Sequence, residues 1–332
     1  MKKGLALLLC VGLALTALAG CSGKTKEMQK VTVCEVTHSI FYAPQYVAIE
    51  EGYFAEEGLD LTLVTGFGAD KTMTAVISGE ADIGFMGAEA SVYAYQEGAT
   101  DPVVNFAQLT QRAGNFLVAR EEMPDFKWED LKGEKVLGGR KGGMPEMVFE
   151  YILKKNGIDP QKDLTIDQSI DFGSTAAAFT SDDSAAYTVE FEPSATILEK
   201  EGAGYVVASL GEASGYVPYT SYSTKASYMK ENPEIIQKFT DALQKGMDYV
   251  QNHTPEEIAE VIAPQFKETD LETITAIVKR YYDQDTWKEN LIFEKDSFEL
   301  LQDILEDAGE LTDRTAYENL VQTEYAQKAC KN

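Results

Sequence analysis

Short apolar strand patterns alternate with helix patterns along the first half of the chain, and this alternation constrains the fold more than any other feature. The stretch "KVTVCEVT" (residues 30–37) is β-rich and apolar enough for a strand buried on both faces. Pro44 suits the first turn of a helix that follows, and Gly52 marks the carboxyl end of that helix. Leucines alternate with polar residues over 59–63, which predicts a second strand.

The same order of elements then repeats. A helix is predicted over "DKTMTAVISG" (residues 70–79), with Gly79 as its cap, and a third strand over "ADIGFMG" (residues 81–87). Strand, helix, strand, helix, strand implies a parallel sheet. The polar stretch "PDFKWEDLKGEK" (residues 124–135) suggests a crossing between lobes near residues 120–130, and the alternation restarts after it. The chain is therefore predicted to be an α/β protein with two lobes.

The last third of the chain differs from the rest. Beyond "PYTSYST" (residues 218–224) the strand signal nearly vanishes and four amphipathic helix patterns follow. A helical segment after two α/β lobes suggests that the chain crosses back, near residues 217–226, and packs on the first lobe. The predicted division is a signal peptide over 1–20, a tether over 21–30, the first lobe over 31–125 with a helical return over 221–332, and the second lobe over 126–220.

The amino-terminal stretch "MKKGLALLLCVGLALTALAG" has two lysines followed by an apolar run that is too short for a stable membrane span. It has the pattern of a secretory signal. The run ends in "LAGC", which resembles the lipobox of bacterial lipoproteins, and this resemblance implies cleavage before Cys21 and lipidation of its thiol. An ordinary signal with an incidental cysteine is the alternative. The expected location is the outer face of the cell membrane, or the periplasmic side in a host with two membranes.

Charge and cysteine content exclude several classes of protein. The chain has 55 acidic and 29 basic residues and a formal net charge of −26, whereas nucleic-acid binding requires a basic face. Cys10 and Cys21 belong to the signal and the anchor, so Cys34 and Cys330 remain and a disulfide framework is excluded. One bridge between these two cysteines is possible, although a buried thiol is the more common state for a cysteine in a strand such as that of Cys34.

The segment "YAPQYVAIEEGYFAEEGLDLTLV" followed by "ISGEADIGFMG" closely resembles the opening of the ABC-importer solute-binding proteins for thiamine-precursor pyrimidines, alkanesulfonates, nitrate and taurine. The resemblance is continuous from about residue 31 to residue 225. It implies the two-lobed periplasmic-binding-protein fold of type II, with a ligand cleft between lobes that close about a hinge. It also implies a monomer without a cofactor that delivers a small molecule to a permease and an ATPase.

In parallel sheets, ligands bind beyond the carboxyl ends of the strands, where helix amino ends present free N–H groups. Tyr46 lies inside a helix and is expected in the core. Glu89 is also expected in the first turn of a helix, where the helix dipole stabilises a carboxylate. Ser174 and Thr175 could simply cap a helix. The resemblance implies that Glu190 holds ligand, with Glu192 next to it. The predicted ligand-binding residues are Ser39, Phe41, Tyr42, Gly66, Asp70, Glu89, Gln111, Gly143, Ser174, Thr175, Thr188 and Glu190.

Several kinds of chemistry are not expected from this sequence. His38 and His253 are distant in the chain, and no cysteine cluster accompanies them, so no metal site is predicted. No nucleophile motif of the "G-x-S-x-G" type is present. The fungal pyrimidine synthases share the implied fold and are enzymes, but the cysteine cluster that they carry is absent here. An exported enzyme on the same fold and an adhesive or signalling lipoprotein remain as alternatives to a binding protein.

The candidate loops contain side chains that suit two classes of ligand. Four basic residues would suit a sulfonate or nitrate, whereas aromatic rings and carboxylates suit a flat nitrogen heterocycle, because rings stack on rings and carboxylates pair with N–H donors. We favour the heterocycle, either a pyrimidine thiamine precursor or a related compound such as a flavin, and an alkanesulfonate, taurine or nitrate is the alternative. The basic residues are Lys71, Arg112, Arg140 and Lys141; the opposing set is Phe41, Tyr42, Phe67, Phe172, Phe191, Glu89, Glu190 and Glu192.

Overall fold

The computed structural model describes residues 28–170 and 173–331. In this part of the chain, two five-stranded sheets are flanked by helices. The strands are β1 (Gln29–Glu35), β2 (Leu59–Thr65), β3 (Ile83–Met86), β4 (Val103–Thr110), β5 (Asn115–Ala119), β6 (Lys135–Leu137), β7 (Thr165–Asp167), β8 (Tyr187–Phe191), β9 (Tyr205–Ser209) and β10 (Thr220–Lys225). The helices are α1 (Ala43–Glu50), α2 (Tyr53–Glu56), α3 (Ala69–Ser78), α4 (Glu89–Gln96), α5 (Met144–Lys155), α6 (Thr175–Ser181), α7 (Ser194–Lys200), α8 (Leu210–Ser214), α9 (Ala226–Glu231), α10 (Pro233–Asn252), α11 (Pro255–Ile262), α12 (Leu271–Asp283), α13 (Lys295–Asp307), α14 (Tyr317–Leu320) and α15 (Glu324–Ala329).

The first sheet has the strand order β2-β1-β3-β10-β4. Its first three strands are parallel, as the alternation of strands and helices predicts: Val33 of β1 pairs with Leu63 on one side and with Ile83 on the other. The strand β10 runs antiparallel to both of its neighbours. The strand–helix–strand–helix–strand prediction for residues 30–87 is confirmed.

The helix signals read from the sequence lie where the helices begin and end. Pro44 stands in the first turn of α1, where its missing N–H group costs no hydrogen bond. Gly79 caps α3 with a φ of 81°, a left-handed conformation that favours glycine. Tyr46 is fully buried, as predicted for a residue inside α1.

The second sheet has the order β7-β6-β8-β5-β9. The strand β5 pairs antiparallel with β8 and β9, so it belongs to this second sheet. The chain therefore changes sheet between Thr110 and Asn115, and the predicted crossing near residues 120–130 is wrong. The polar stretch over 124–135 misled the prediction because it lies within the second lobe, where Leu131 is buried. The chain is back in the first sheet at Thr220, within the range predicted for the second crossing.

The carboxyl-terminal helices pack on the first lobe, as predicted. The helix α10 packs on α1 so closely that a Cβ added at Gly246 would lie 2.3 Å from the carbonyl oxygen of Pro44. The same segment also reaches the second lobe, which the sequence did not indicate. In α12, Arg280 forms ion pairs with Glu192 and Glu199, and α13 packs against α5.

The predicted signal peptide, Cys21, most of the tether and Phe172 lie outside the described residues. Within the described ranges, no helix is both long and apolar enough to cross a membrane. Cys34 is buried and Cys330 is exposed, and both thiols are free, so the structure does not contain the bridge that the sequence left open. The Cys34 thiol lies 3.8 Å from the Thr72 hydroxyl, which is consistent with a buried thiol.

Candidate ligand-binding site

Two neighbouring cavities lie between the lobes, beyond the carboxyl ends of strands from both sheets. They share Gly139, Pro145 and Phe191 as a common wall. We call the first, of about 70 Å³, the first chamber; it is lined by Val36, Tyr42, Gly68, Ala69, Gly87, Glu89, Gly139, Arg140, Gly143, Met144, Pro145, Phe191, Tyr219 and Thr220. We call the second, of about 150 Å³, the second chamber; it is lined by Thr37, His38, Ser39, Gly138, Gly139, Pro145, Gly173, Thr175, Val189, Glu190, Phe191, Glu192, Pro193 and Ser194.

Aromatic rings form much of the first chamber. Tyr42 and Tyr219 come from the first lobe, and Phe191 comes from the end of β8 in the second. The ring centroids of Phe191 and Tyr219 lie 6.2 Å apart, within the range of interacting aromatic pairs. A flat ligand at the wall shared by the two chambers would therefore meet Phe191 of the second lobe, with Tyr219 of the first lobe next to it.

Glu89 is the buried carboxyl of the first chamber and begins α4. Burial raises its pKa to about 7, although N–H groups of Glu89 and Met144 and the charge of Arg140 act in the opposite direction. Its Oε2 atom has no hydrogen-bond partner. A Cβ added at Gly87 would lie only 2.0 Å from Oε2, so the carboxyl group occupies space that only a glycine at this position leaves open.

Glu190 is the corresponding carboxyl of the second chamber, at the carboxyl end of β8. The Thr188 hydroxyl donates a hydrogen bond of 2.6 Å to its Oε1 atom, and the Thr175 hydroxyl also interacts with it. Burial raises the pKa of Glu190 to about 7 against the effect of these two donors. The two lobes thus each bring one buried carboxyl group of perturbed pKa to the cleft, a feature typical of functional sites.

Glu192 also lines the second chamber, but its carboxylate is already bound. Arg280 Nη1 lies 2.5 Å from Oε1, and the Thr196 N–H group donates a 2.9 Å hydrogen bond to Oε2. The carbonyl oxygen of Glu192 accepts a 3.0 Å hydrogen bond from Ser39 Oγ, which joins the lobes. Glu192 therefore connects parts of the fold, and Glu190 is the carboxyl available to a ligand.

His38 lines the second chamber and takes part in a buried polar network. Its Nδ1 lies 2.8 Å from Glu35 Oε1, and its Nε2 lies 3.0 Å from the carbonyl oxygen of Gln265. Burial lowers the pKa of His38, but the hydrogen bonds to Glu35 and Gln265 outweigh it and the net shift is upward. Since both ring nitrogens face acceptors, the imidazolium form fits this site. Among the described residues, no group of three or more potential metal ligands is present.

Six of the twelve predicted ligand-binding residues line the chambers and six do not. The structure brings together Ser39, Tyr42, Glu89, Gly143, Thr175 and Glu190. It places the other six outside both chamber walls: Phe41, Gly66, Asp70, Gln111, Ser174 and Thr188.

Phe41 is the clearest departure from the prediction. It is fully buried and packs against Phe191, Tyr219 and Tyr281, behind the chamber wall. Its carbonyl oxygen accepts a 2.8 Å hydrogen bond from Trp287 Nε1. Phe41 therefore supports the residues that line the cleft instead of facing it.

The other five have evident local roles. Gly66 lies against Thr72, and Asp70 pairs with Arg140. The side-chain amide of Gln111 donates a hydrogen bond to the carbonyl oxygen of Trp287. Ser174 precedes α6, and Thr188 is buried behind Glu190. Tyr219 and His38, by contrast, line the chambers without having been predicted as ligand contacts. Tyr219 lies in "PYTSYST", which marks the second crossing but carries no motif.

Arg140 is the one member of the predicted cationic set that lines a chamber. Its Nη2 atom lies 3.6 Å from Asp70 Oδ1. Lys141 pairs with Glu310, and the Arg112 guanidinium stacks on Tyr216 and donates to the carbonyl oxygen of Gly211. Lys71 is exposed and approaches the carbonyl oxygen of Phe67. The chambers therefore contain three carboxyl groups, of Glu89, Glu190 and Glu192, and two basic side chains, of Arg140 and His38.

The chain resembles known proteins in sequence and in structure. It is 47% identical to the putative binding protein YtlA of Bacillus subtilis over 321 residues, 96% of each chain, and 25% identical to the riboflavin-binding protein RibY of Chloroflexus aurantiacus over 66% of this chain and 62% of the relative. Two solved structures have the same fold. The alkanesulfonate-binding protein SsuA of Xanthomonas axonopodis pv. citri, bound to MOPS, has a TM-score of 0.71 at 15% identity and covers 90% of this chain and 100% of its own. The periplasmic nitrate-binding protein NrtA of Synechocystis PCC 6803 has a TM-score of 0.72 at 15% identity and covers 92% of this chain and 89% of its own.

These likenesses establish the two-lobed periplasmic-binding-protein fold that the sequence predicted. The family model described as NMT1/THI5 like matches residues 40–258, which is more than half of the chain and includes both Glu89 and Glu190. Together with the identity to the Bacillus relative over nearly the whole length, this match shows that the chain belongs to the NMT1/THI5-like family.

Proposed function

We propose that this protein is the extracytoplasmic solute-binding component of an ABC importer and that it captures a flat nitrogen heterocycle, a pyrimidine thiamine precursor or a flavin, between its lobes. The observation that carries the proposal is Glu190. Its buried carboxyl group lies at the end of β8, is held by Thr188 and Thr175, and faces the second chamber. Such a group pairs with the amino and ring N–H donors of a heterocycle.

The distribution of charge favours this ligand over an anion. A sulfonate or nitrate would enter a cleft with Glu89 on one side and Glu190 on the other, while Arg140 already pairs with Asp70. Phe191 lines both chambers and supplies a face on which a heterocycle stacks, and the ring of Tyr219 lies 6.2 Å from it. The relative RibY is named for riboflavin, whereas SsuA and NrtA, which resemble this chain in fold, are named for alkanesulfonate and nitrate.

The proposed role includes export, anchoring and partners. The "LAGC" sequence supports lipidation at Cys21 on the outer face of the cell membrane, and residues 22–30 would serve as the tether. The lobes would close about the crossings near residues 110–115 and 209–220, and the closed form would meet a permease that an ATPase drives. We expect a monomer that needs no cofactor.

Calorimetry tests the proposed ligand. The purified protein is titrated with 4-amino-5-hydroxymethyl-2-methylpyrimidine, riboflavin, taurine and nitrate, and a heterocycle is expected to bind with a stoichiometry of one. The Glu190→Gln variant should bind it more weakly by roughly 1 to 3 kcal/mol, as expected when a charge-assisted hydrogen bond is degraded. Glu201→Gln, an exposed carboxyl after α7, is the matched control and should bind like the wild type.

Two results would reject the proposal. Tight binding of taurine or nitrate with no response to either heterocycle would favour the anionic alternative. Conversion of the bound heterocycle to a product on prolonged incubation would favour an exported enzyme on the same fold. Recovery of the ligand unchanged is the result that a binding protein requires.

A further inference from the structure

Two buried polar groups in the first chamber have no hydrogen-bond partner. They are the Oε2 atom of Glu89 and the hydroxyl group of Tyr219, and each residue is only 3% exposed. Unpaired buried polar groups are rare in native proteins, and each requires an explanation. Glu89 comes from the start of α4 and Tyr219 from the segment that leads into β10, so two separate elements bring these groups to one cavity.

The charge of Glu89 acts on the Tyr219 hydroxyl group. Burial raises the pKa of the Tyr219 hydroxyl, and the neighbouring Tyr42 and Glu89 raise it further. Glu89 also raises the pKa of the Tyr42 hydroxyl group, in addition to the effect of burial. Glu89 and Tyr219 therefore bring two unpaired polar atoms to a chamber whose other walls are largely apolar side chains and glycine backbone.

The chamber does not supply a positive charge that is reserved for Glu89. Arg140 is the only basic residue among the described residues that line it, and its guanidinium also pairs with Asp70 at 3.6 Å. Glu89 receives backbone N–H groups, from itself and from Met144, but these leave Oε2 unpaired. A buried carboxylate of this kind is stabilised when a ligand brings a hydrogen-bonded cation to it.

We infer that the ligand carries a short amine arm, which enters the first chamber and is bound by Glu89 Oε2 and the Tyr219 hydroxyl. The inference rests on the proposed function, because it takes a heterocycle at Glu190 as the other end of the ligand. Phe191 and Pro145 line both chambers, so a ring stacked at this common wall would lie between the chamber of Glu190 and the chamber of Glu89. A cavity of about 70 Å³ has room for an arm of a few atoms and not for a second ring.

A matched series of ligands tests the arm. The series is 4-amino-2-methylpyrimidine with a methyl, a hydroxymethyl or an aminomethyl group at position 5, titrated into the full chain by calorimetry. The aminomethyl compound is expected to bind roughly 10- to 100-fold more tightly than the methyl compound, as for a charge-assisted hydrogen bond. Glu89→Gln should reduce this preference to a few-fold, and Tyr219→Phe should reduce it by a smaller factor.

Glu97→Gln is the control, because Glu97 is an exposed carboxyl that follows the last turn of the same helix. It should keep the full preference for the amine. If Glu89→Gln does not fold, the ligand series on the wild type together with Tyr219→Phe still decides the question. Equal affinity of the wild type for all three compounds would overturn the inference and leave the heterocycle function standing.

Two further outcomes separate the inference from the proposed function. Binding of riboflavin but of none of the three pyrimidines would preserve a heterocycle receptor and overturn the amine arm. Binding of taurine or nitrate alone would overturn both. A preference for the amine that survives in Glu89→Gln would show that another group binds the arm, and it would also reject the inference.

Discussion

Arg280 Nη1 lies 2.5 Å from Oε1 of Glu192, and this ion pair joins the carboxyl-terminal helix α12 to the second lobe. The Glu192 side chain is fully buried, and Arg280 also reaches Glu199 at 3.1 Å. Glu192 further accepts hydrogen bonds from the N–H and hydroxyl groups of Thr196. The pair thus connects the start of α7, the wall of the second chamber and the tail of the chain.

Removing Arg280 should destabilise the protein strongly. In Arg280→Ala the Glu192 carboxylate loses its cation while it remains buried, and breaking a buried pair in this way costs about 3 to 5 kcal/mol. We expect the lower end of this range, because Thr196 still donates two hydrogen bonds and Arg280 is partly exposed. Urea unfolding measures the change. Arg314→Ala, which removes an exposed cation that pairs with three acids, is the comparison and should cost far less, because exposed ion pairs contribute little to stability; equal losses would contradict the role of Arg280.

Gly87→Ala should weaken ligand binding through Glu89. The added Cβ would lie 2.0 Å from Glu89 Oε2, so the carboxyl group must move away from its present position. We expect a loss of affinity for an amine-bearing ligand of roughly 1 to 2 kcal/mol, measured by calorimetry. In a Glu89→Ala background the same substitution should have little effect, because the clashing group is gone. Additive losses in the double variant would show that Gly87 acts independently of Glu89.

The stability of the ligand-free protein should fall as the pH rises from about 5 to 8. The pKa of Glu190 is raised to about 7 by burial, whereas an unfolded glutamate titrates near 4.3, so the folded state holds the proton more tightly. The stabilisation from this protonated carboxyl is complete below the unfolded pKa and is lost as the pH rises through the folded one. For Glu190 the loss is up to about 3 kcal/mol.

The Glu190→Gln variant checks this pH dependence. Its neutral side chain does not need to ionise inside the protein, so it should gain stability relative to the wild type between pH 5 and pH 8. Urea unfolding at both pH values gives the comparison, with Glu201→Gln as the exposed control. A stability difference between Glu190→Gln and the wild type that is the same at both pH values would mean that Glu190 does not titrate in this range.

Ligand should shift the lobes toward the closed form, in which cross-lobe hydrogen bonds form. The Tyr93 hydroxyl of the first lobe donates a 3.0 Å hydrogen bond to the carbonyl oxygen of Gly142 in the second. The radius of gyration from small-angle scattering should therefore decrease when ligand saturates the wild type. Tyr93→Phe should bind ligand more weakly by about 1 kcal/mol, because one such bond is lost from the closed form. An unchanged radius at saturating ligand would argue against closure.

The proposed lipid anchor at Cys21 can be tested in whole cells. Cys21→Ala should either release a soluble protein or leave an uncleaved precursor, because the thiol that would carry the lipid is gone. Fractionation and mass measurement of the product distinguish these outcomes from anchoring. If the variant still sediments with membranes at its mature length, the lipobox interpretation is wrong.

Local signals in the sequence predicted most of the architecture. Pro44, Gly52 and Gly79 mark where helices begin or end, and the structure has them at those positions. The rule that ligands bind beyond the carboxyl ends of strands selected loops on both lobes that contain Glu89 and Glu190. Both residues lie in the cleft, although they are 101 positions apart in the chain.

Features that depend on contacts between distant segments were not predictable in the same way. Phe41 and Tyr42 are adjacent, but only Tyr42 lines a chamber, because Phe41 packs onto Gly114 so closely that a Cβ there would lie 2.5 Å from its ring. The strand β5 has an ordinary apolar pattern that does not reveal which sheet it joins. Similarly, the sequence suggests Arg140 as a cation that could bind an anionic ligand, whereas in the structure its guanidinium group pairs with Asp70.

The two carboxyl groups of the cleft are supported mainly within their own lobes. Gly87 leaves room for Glu89 in the first lobe, and Thr188 and Thr175 hold Glu190 in the second. The donor that reaches Glu89 from the other lobe is the backbone N–H of Met144, which does not depend on the side chain at that position. Evolution can therefore exchange one carboxyl without rebuilding the site of the other. Descendants of such a protein can change which substituent they recognise at one edge of a ring while they keep the recognition of the opposite edge.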